Sequence, residues 1–228
     1  MSVPAEQPSS TGGQGLLLAC EGVDDEQFLI RMLAYLRIED VVVRKYDGKP
    51  RLPTFLLGLR DSTEFETVRA LGIFRDADTS ARSAFQSVSD RLKRLKLPQP
   101  RSSGELITDI CDFDGIVRTM GIFIMPDGQS VGELEDLCLR VIAGDPALDC
   151  VREFLNCVHV QTGVECRETD RSKAQLNAWL ASRHNPSRRL GQAIAARDLN
   201  PDSPAFAEVR TFLLDLAGAA QPLAESSS

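Results

Sequence analysis

The chain of 228 residues lacks the long apolar run that a transmembrane helix requires. A helix that spans a bilayer needs about 20 consecutive apolar residues, and no stretch of the sequence comes near that length. Residues 1–13 have neither the basic start nor the apolar centre of a secretory signal. We therefore predict a cytoplasmic protein that does not contact membranes, with residues 1–13 forming a disordered leader.

The six cysteines include no Cys-x-x-Cys pair, so the usual ligand spacing of a zinc site is missing. Several of them lie within apolar runs, and we expect them to be reduced and buried in the core. Histidine is scarce too, with only His159 and His184 in the chain. Neither has a neighbour at a ligand-like spacing. Zinc is therefore not among the expected cofactors.

A strong positive charge is also absent, because the formal net charge is -7. This excludes a protein that coats nucleic acid by charge alone. Local basic segments are present at residues 91–101 and 183–189, and they could guide a polyanion such as DNA or RNA. Hydrophobic residues make up 43% and charged residues 26% of the chain, as in a soluble protein with a packed core.

Apolar runs alternate with helical patterns up to residue 144, and mainly helical patterns follow. The predicted strands are 15–20, 41–46, 68–74 and 116–125. The predicted helices are 24–36, 52–59, 80–95, 130–143, 148–160, 171–183 and 204–216. This order predicts an α/β fold with a mainly parallel central sheet flanked by helices. The expected organisation is an α/β domain at 14–145, a helical C-terminal extension packed on it at 146–217, and a disordered tail at 218–228.

Two helix starts carry capping signals. Asp24 is expected to be the N-cap of the first helix, with Gln27 three residues later. Ser130 and Glu133 have the spacing of a capping box at the start of the helix predicted at 130–143.

Two of the predicted strands end in carboxylates. Glu21 follows the first strand, and Asp76 and Asp78 follow the third. Side chains at i and i+2 of an extended chain leave the same face, so Asp76 and Asp78 can point at one spot if the strand geometry persists. In parallel sheets, ligands bind beyond the carboxyl ends of the strands. If these strands are neighbours, the three carboxylates converge, and a divalent cation between them would offset their repulsion.

The segments Glu21-Gly22-Val23-Asp24-Asp25 and Asp76-Ala77-Asp78 resemble the two motifs of the Toprim domain of topoisomerases, primases and overcoming-lysogenization-defect nucleases. The resemblance covers about residues 15–142 and implies a Toprim-like fold. It implies general acid/base or metal chemistry for Glu21, and binding of Mg²⁺ or Mn²⁺ by Asp76 and Asp78. Asp25 completes the first motif and is a further candidate ligand, although complementarity to the helix dipole would also explain it.

A narrower resemblance, to a Toprim-like family of microbial proteins, covers nearly the whole folded chain. The segments that carry it are 125–130, 132–137, 171–174, 191–194 and 199–202.

Further charged residues are candidates around this site. Asp127, Glu135 and Asp136 could each supply a carboxylate to a second metal ion. Asp136 points away from the buried stripe of its predicted helix, and Glu135 flanks that stripe. Arg171 and Lys173, near a helix start, are candidate phosphate-binding residues, with a solvated helix face as the alternative.

The sequence thus predicts Mg²⁺-dependent phosphoryl transfer, with phosphodiester cleavage in nucleic acid as the leading hypothesis. One alternative is a phosphatase, because Asp76-Ala77-Asp78-Thr79 matches the Asp-x-Asp-x-Thr signature of the haloacid-dehalogenase family, which makes Asp76 the nucleophile and Asp78 the acid/base. The other is a catalytically inert Toprim-like metal-binding or interaction module. It is favoured by Val23, where many Toprim motifs have a basic residue, and by the acidic net charge.

Overall fold

A computed structural model describes residues 15–221 of the chain. The predicted leader at 1–13 and the end of the predicted tail, 222–228, lie outside the described residues. Within residues 15–221, no helix combines the length and the apolar character needed to cross a bilayer.

The described residues form a sheet and a series of helices that alternate along the first part of the chain. The strands are β1 (Leu16–Cys20), β2 (Val41–Lys45), β3 (Ala70–Asp76), β4 (Leu106–Ile110) and β5 (Val117–Met125). The α-helices are α1 (Val23–Leu36), α2 (Leu52–Arg60), α3 (Ala81–Arg94), α4 (Leu134–Val141), α5 (Pro146–Thr162), α6 (Arg171–Ala181), α7 (Leu190–Ala195) and α8 (Ala207–Ala220).

The sheet has the strand order β2-β1-β3-β5-β4 and is parallel except for β4, which runs antiparallel to β5 at one edge. The strands that pair in parallel are joined by segments containing helices, as parallel pairing requires. This confirms the predicted α/β class with a mainly parallel central sheet. The third strand of the sequence, β3, is the central strand.

Helices cover both faces of the sheet because each strand alternates apolar side chains between two cores. Leu17 and Leu71 belong to the core beneath α2 and α3. Leu18 and Phe74 belong to the larger core on the other face, which also contains residues of α1 and of α4 to α8. The helical C-terminal part of the chain thus packs on the same face of the sheet as α1.

The centre of the sheet has a depression in which α8 lies. Gly72 of β3 and Gly121 of β5 are register partners, so two residues without side chains lie next to each other. An ideal Cβ on Gly121 would be 2.7 Å from the Phe212 ring, and one on Gly72 would be 2.6 Å from Leu216 Cδ2. These two glycines therefore let α8 approach the sheet closely.

Three elements differ from the predictions. Strand β4 and helix α7 were not predicted. The last helix, α8, continues through Ala220, so residues 218–220 are helical instead of belonging to a tail.

The expectation of buried cysteines is right for Cys20, Cys111 and Cys138 but wrong for the other three. The exposed cysteines are Cys150, Cys157 and Cys166, and all six are free thiols.

Candidate functional site

The candidate site lies at the carboxyl ends of β1 and β3, which are neighbouring parallel strands. Glu21 directly follows β1, and Asp76 is the last residue of β3. The topology therefore places these two predicted residues at the same edge of the sheet, as the ligand sites of α/β folds require.

Asp76 is the centre of the electrostatics at this edge. Its Oδ1 accepts a hydrogen bond of 3.2 Å from the backbone N–H of Leu134, at the start of α4. Burial raises the pKa of Asp76 to about 9, and further contributions come from four carboxylates, which are Asp25, Glu21, Glu135 and Glu133. Without a counter-cation, this site favours a protonated Asp76 at neutral pH.

Asp25 reaches the site because of the way α1 begins. The N-cap is Gly22, whose backbone N–H donates 2.9 Å to Asp25 Oδ2, so the predicted N-cap role of Asp24 is wrong. The carboxylate of Asp25 caps the helix from inside its first turn, and the residue is only 9% exposed. Burial raises the pKa of Asp25 to about 6, with Glu21 adding to the increase.

The start of α4 brings two more carboxylates to Asp76. Its N-cap is Glu133, whose N–H donates 2.8 Å to Asp136 Oδ2, so the predicted capping box of Ser130 and Glu133 is wrong. Asp136 also accepts a hydrogen bond from the Ser172 hydroxyl and is occupied as a cap. Glu135 is 8% exposed, and burial together with Glu133 raises its pKa to about 7.

Asp78 leaves the strand in a different direction from Asp76. Strand β3 ends at Asp76, and Asp78 has a φ of 51°, in the left-handed region that aspartate tolerates better than most residues. Its backbone exchanges two 2.9 Å hydrogen bonds with Gly132, and its carboxylate forms an ion pair with Lys49. The strand alternation on which the predicted convergence of Asp76 and Asp78 depends therefore does not extend to Asp78.

Glu21 lies between two sets of charges. We call Asp25, Asp76, Glu133 and Glu135 the Asp76 group, and Lys49, Asp78 and Arg75 the Lys49 group. Burial raises the pKa of Glu21, Lys49 and Arg75 act to lower it, and Asp78 acts to raise it. Glu21 in turn raises the pKa of Asp76 and Asp25. One carboxylate thus couples the two groups.

The remaining predicted residues differ in their distance from this centre. Lys173 Nζ donates 2.7 Å to Glu133 Oε2 and lies 4.0 Å from Glu135 Oε1, so it borders the Asp76 group. Burial acts to lower the pKa of Lys173, but these carboxylates raise it overall. Arg171 is exposed and pairs with Glu168 instead.

Asp127 is engaged in a turn. Its carboxylate accepts hydrogen bonds from the backbone N–H groups of Gln129 and Ser130, from the Ser130 hydroxyl and from Arg140. Burial acts to raise its pKa, but these donors lower it overall. Every strong interaction of Asp127 is therefore explained by local structure.

The chemistry of these residues fits a hard cation such as Mg²⁺, which prefers oxygen ligands and is commonly held by one or two carboxylates and water. Two buried acceptors, Glu21 Oε2 and Glu133 Oε1, have no hydrogen-bond partner among the described residues. Within residues 15–221, no three or more His, Cys, Asp or Glu side chains form a ready-made metal cluster. The oxygen donors therefore suit Mg²⁺. The residues that the structure describes do not enclose a metal ion completely.

Sequence reasoning missed the role of Lys49. This lysine, which follows a turn formed by Asp47 and Gly48 after β2, received no role from the sequence. The available signal was positional, because this turn follows the strand that pairs with β1 and so ends at the same edge of the sheet as Glu21.

Comparison with known proteins gave a family and one similar structure. A search of curated proteins found no match. The chain is similar to the C-terminal region of the OLD protein of Xanthomonas campestris pv. campestris, a structure phased with platinum. The identity is 14% and the TM-score 0.38, over 91% of this chain and 94% of the other. Residues 16–218 match the model of the family described as "Protein of unknown function (DUF3226)", and the chain belongs to this family.

Proposed function

We propose that the protein catalyses Mg²⁺-dependent phosphoryl transfer, specifically phosphodiester cleavage in nucleic acid, with a Toprim-type acidic site centred on Asp76. The observation that carries the proposal is the position of the Asp76 carboxyl, at the end of the central strand and surrounded by Asp25, Glu21, Glu133 and Glu135. A strand end of a mainly parallel sheet is where α/β folds bind their ligands.

A structural role alone does not explain this concentration of carboxylates. Burying a carboxylate costs free energy unless it is paired or binds a cation. Lys173 borders Glu133 and Glu135, but Asp76 itself has only the Leu134 N–H as a donor among the described residues. A divalent cation would supply the missing positive charge, and the unpartnered Glu21 Oε2 offers it a further oxygen.

Each residue can be given a role in the reaction. Bound Mg²⁺ would neutralise phosphate charge and lower the pKa of a water molecule. Asp76 and Glu21 would hold the cation, with Asp25, whose carboxylate also caps α1, beside them. Burial raises the pKa of Glu21, which is the direction that favours a role as general acid or base. Lys173 would face the negative charge of the phosphate.

A small pocket beside the site, lined by three basic residues and by the carboxylates of Asp24 and Glu135, supports a phosphodiester as substrate. It has a volume of about 230 Å³, and its lining includes Glu135, Lys173, Asn177, Arg188 and Arg189. This is below the range of about 300–1,000 Å³ of pockets that enclose whole drug-sized ligands, so a phosphate group with part of its sugar fits better than a complete nucleotide. Arg188 pairs with Asp198, whereas Arg189 has no ion pair within residues 15–221.

The proposal is tested by incubating the purified chain with supercoiled plasmid and with labelled single-stranded DNA and RNA. We expect cleavage with Mg²⁺ or Mn²⁺, none with EDTA, and loss of at least about 100-fold in rate for Asp76→Asn. Glu66→Gln is the matched control, because Glu66 is exposed and precedes β3, at the end of the strand opposite the site. It should cleave like the wild type.

The pocket is tested by measuring the affinity for a labelled oligonucleotide in fluorescence anisotropy. We expect Arg189→Ala to weaken binding and to reduce its salt dependence by about one charge. Arg69→Ala serves as the control and should leave both unchanged, because Arg69 is exposed and directly precedes β3, at the end of the strand opposite the site.

Other outcomes would favour the alternative functions. Binding of Mn²⁺ without cleavage of any nucleic acid would indicate an inert metal-binding module, which Val23 in place of a basic residue also favours. Hydrolysis of small phosphomonoesters, with a fluoroberyllate adduct on Asp76, would indicate a phosphatase. Cleavage that persists in Asp76→Asn would contradict the proposal.

A further inference from the structure

We propose that Lys49 takes the place of a second metal ion at this site, so that the protein uses one divalent cation. The inference rests on the proposed function and deepens it, because it concerns how many cations the same acidic residues hold. In two-metal sites, two ions about 3.5–4 Å apart share the carboxylates and divide the charge between them. Here Asp76 and Asp78, the two aspartates of the Asp-x-Asp motif, have different charged neighbours.

The charges at the two aspartates are compensated differently. The Lys49 ammonium forms an ion pair with Asp78 Oδ2 and also acts on Glu21. Asp76 lies among carboxylates and forms no ion pair within residues 15–221. The side of the site that contains Asp78 thus has its own cation, whereas the Asp76 group lacks one at its centre.

The backbone of Lys49 is fixed against the end of β1, so its position is a property of the fold. Tyr46 N–H donates 2.9 Å to the carbonyl of Cys20, and Gly48 N–H donates 3.1 Å to that of Glu21. Asp47 and Gly48 take φ values of 57° and 98°, which turn the chain over the strand end. Lys49 is the first residue of a short 3-10 helix, Lys49–Arg51, and Pro50 is the second.

The buried side chain of Tyr46 connects this turn to β3. Its ring is 2% exposed, and its hydroxyl donates 3.0 Å to the carbonyl of Phe74, two residues before Asp76. The turn that presents Lys49 is thereby tied to both β1 and β3. An ammonium held at Asp78 repels a divalent cation and occupies the oxygen that such a cation would use.

The test is a calorimetric titration of the full chain with Mn²⁺ alone. We expect the wild type to bind about one ion, Lys49→Met to bind about two, and Lys49→Arg to keep one because it retains the charge. Lys45→Met is the matched control, since Lys45 lies four residues earlier and pairs with Asp47 instead of Asp78. It should titrate like the wild type. Circular dichroism establishes that each variant is folded.

The possible results separate this inference from the proposed function. An unchanged isotherm for a folded Lys49→Met variant would overturn the inference and leave the proposed function standing. Two wild-type ions of similar affinity would do the same. Absence of Mn²⁺ binding in every protein would overturn both. A second ion gained by Lys49→Met but not by Lys45→Met or Lys49→Arg would establish Lys49 as the substitute for a metal.

Discussion

The backbone N–H of Leu134 donates a 3.2 Å hydrogen bond to the carboxylate of Asp76, across 58 residues of sequence. This contact joins the start of α4 to the end of the central strand. The first turn of a helix carries partial positive charge, so α4 faces Asp76 with a weak but fixed electrostatic attraction. The geometry of the site therefore depends on how α4 is capped.

Asp136 is predicted to act as a cap and not as a metal ligand. Replacing it by alanine removes the acceptor for Glu133 N–H and should lower the free energy of unfolding by about 0.5–2 kcal/mol. Asparagine can accept the same hydrogen bond, so Asp136→Asn should restore most of the stability. Urea denaturation and Mn²⁺ titration of both variants give the comparison. If Asp136→Asn lost Mn²⁺ binding as completely as Asp76→Asn, Asp136 would be a ligand after all.

The glycine depression beneath α8 predicts a large cost for a single methyl group. The Cβ of Gly121→Ala would lie 2.5 Å from Leu106 and 2.7 Å from Phe212, and overpacking of this kind costs about 1–3 kcal/mol. Gly58→Ala in the exposed part of α2 meets no atom within 4 Å and should instead stabilise the helix by up to about 1 kcal/mol. Urea denaturation measures both. Equal stability of the two variants would contradict the close approach of α8.

Arg118 is predicted to be a major structural residue outside the site. Its side chain is fully buried, donates to the carbonyls of Val68 and Phe65 and forms a 2.7 Å ion pair with Asp114. Arg118→Met leaves these two buried carbonyls without their donor, and each such loss costs about 1–3 kcal/mol, so we expect a total cost of about 2–5 kcal/mol. Thermal or urea unfolding provides the measurement.

An exposed ion pair provides the contrast to Arg118. Arg44 pairs with Glu64 at 2.9 Å, but its side chain is half exposed, so Arg44→Met should cost no more than about 1 kcal/mol. A cost for Arg118→Met as small as that of Arg44→Met would show that the buried guanidinium contributes little.

Acid should weaken the junction of α5 and α6 through Asp145. The Ala147 N–H, the Trp179 indole and Arg183 all donate to this carboxylate and lower its pKa below the ordinary value of 3.8. Because the folded-state pKa is the lower one, the stabilisation is complete above pH 3.8 and is lost as the pH falls through the lowered value.

The measurement is urea denaturation of wild type and Asp145→Asn from neutral pH down to about pH 2.5. Asparagine keeps the cap and loses the charge, so the stability difference between the two proteins should shrink in the acid range. Asp149→Asn is the control, since its exposed carboxylate pairs with the exposed Arg152, and it should differ from wild type by less than about 0.5 kcal/mol. A constant difference at all pH values would contradict the assignment.

The fold was predictable from the sequence where burial and periodicity agree. The apolar residues of β1 and β3 are buried on both faces, and this produces the continuous runs that were recognised as strands. Strand β4 escaped prediction because it is a short edge strand whose Thr108, Asp109 and Ile110 are exposed. Helix α7 has only six residues, too few for a helical period to be visible.

The site was predictable only up to the ends of the strands. Glu21 and Asp76 follow directly from strand position, and the parallel topology brings them together. The direction of the Asp78 side chain could not be predicted, because Asp78 itself takes a left-handed conformation after the strand has ended. The burial of Asp25 and Glu135 could not be predicted either. It arises from how α1 and α4 pack in the tertiary structure, which the periodicity of the sequence does not encode.

The position of α8 has a consequence for folding during synthesis. This helix comes late in the sequence, yet its Phe212 contacts Phe74 and Phe123 in the middle of the sheet. The apolar centre of that face stays uncovered until residues 207–220 have left the ribosome. Nascent chains shorter than this therefore present the aromatic surface to chaperones or to one another.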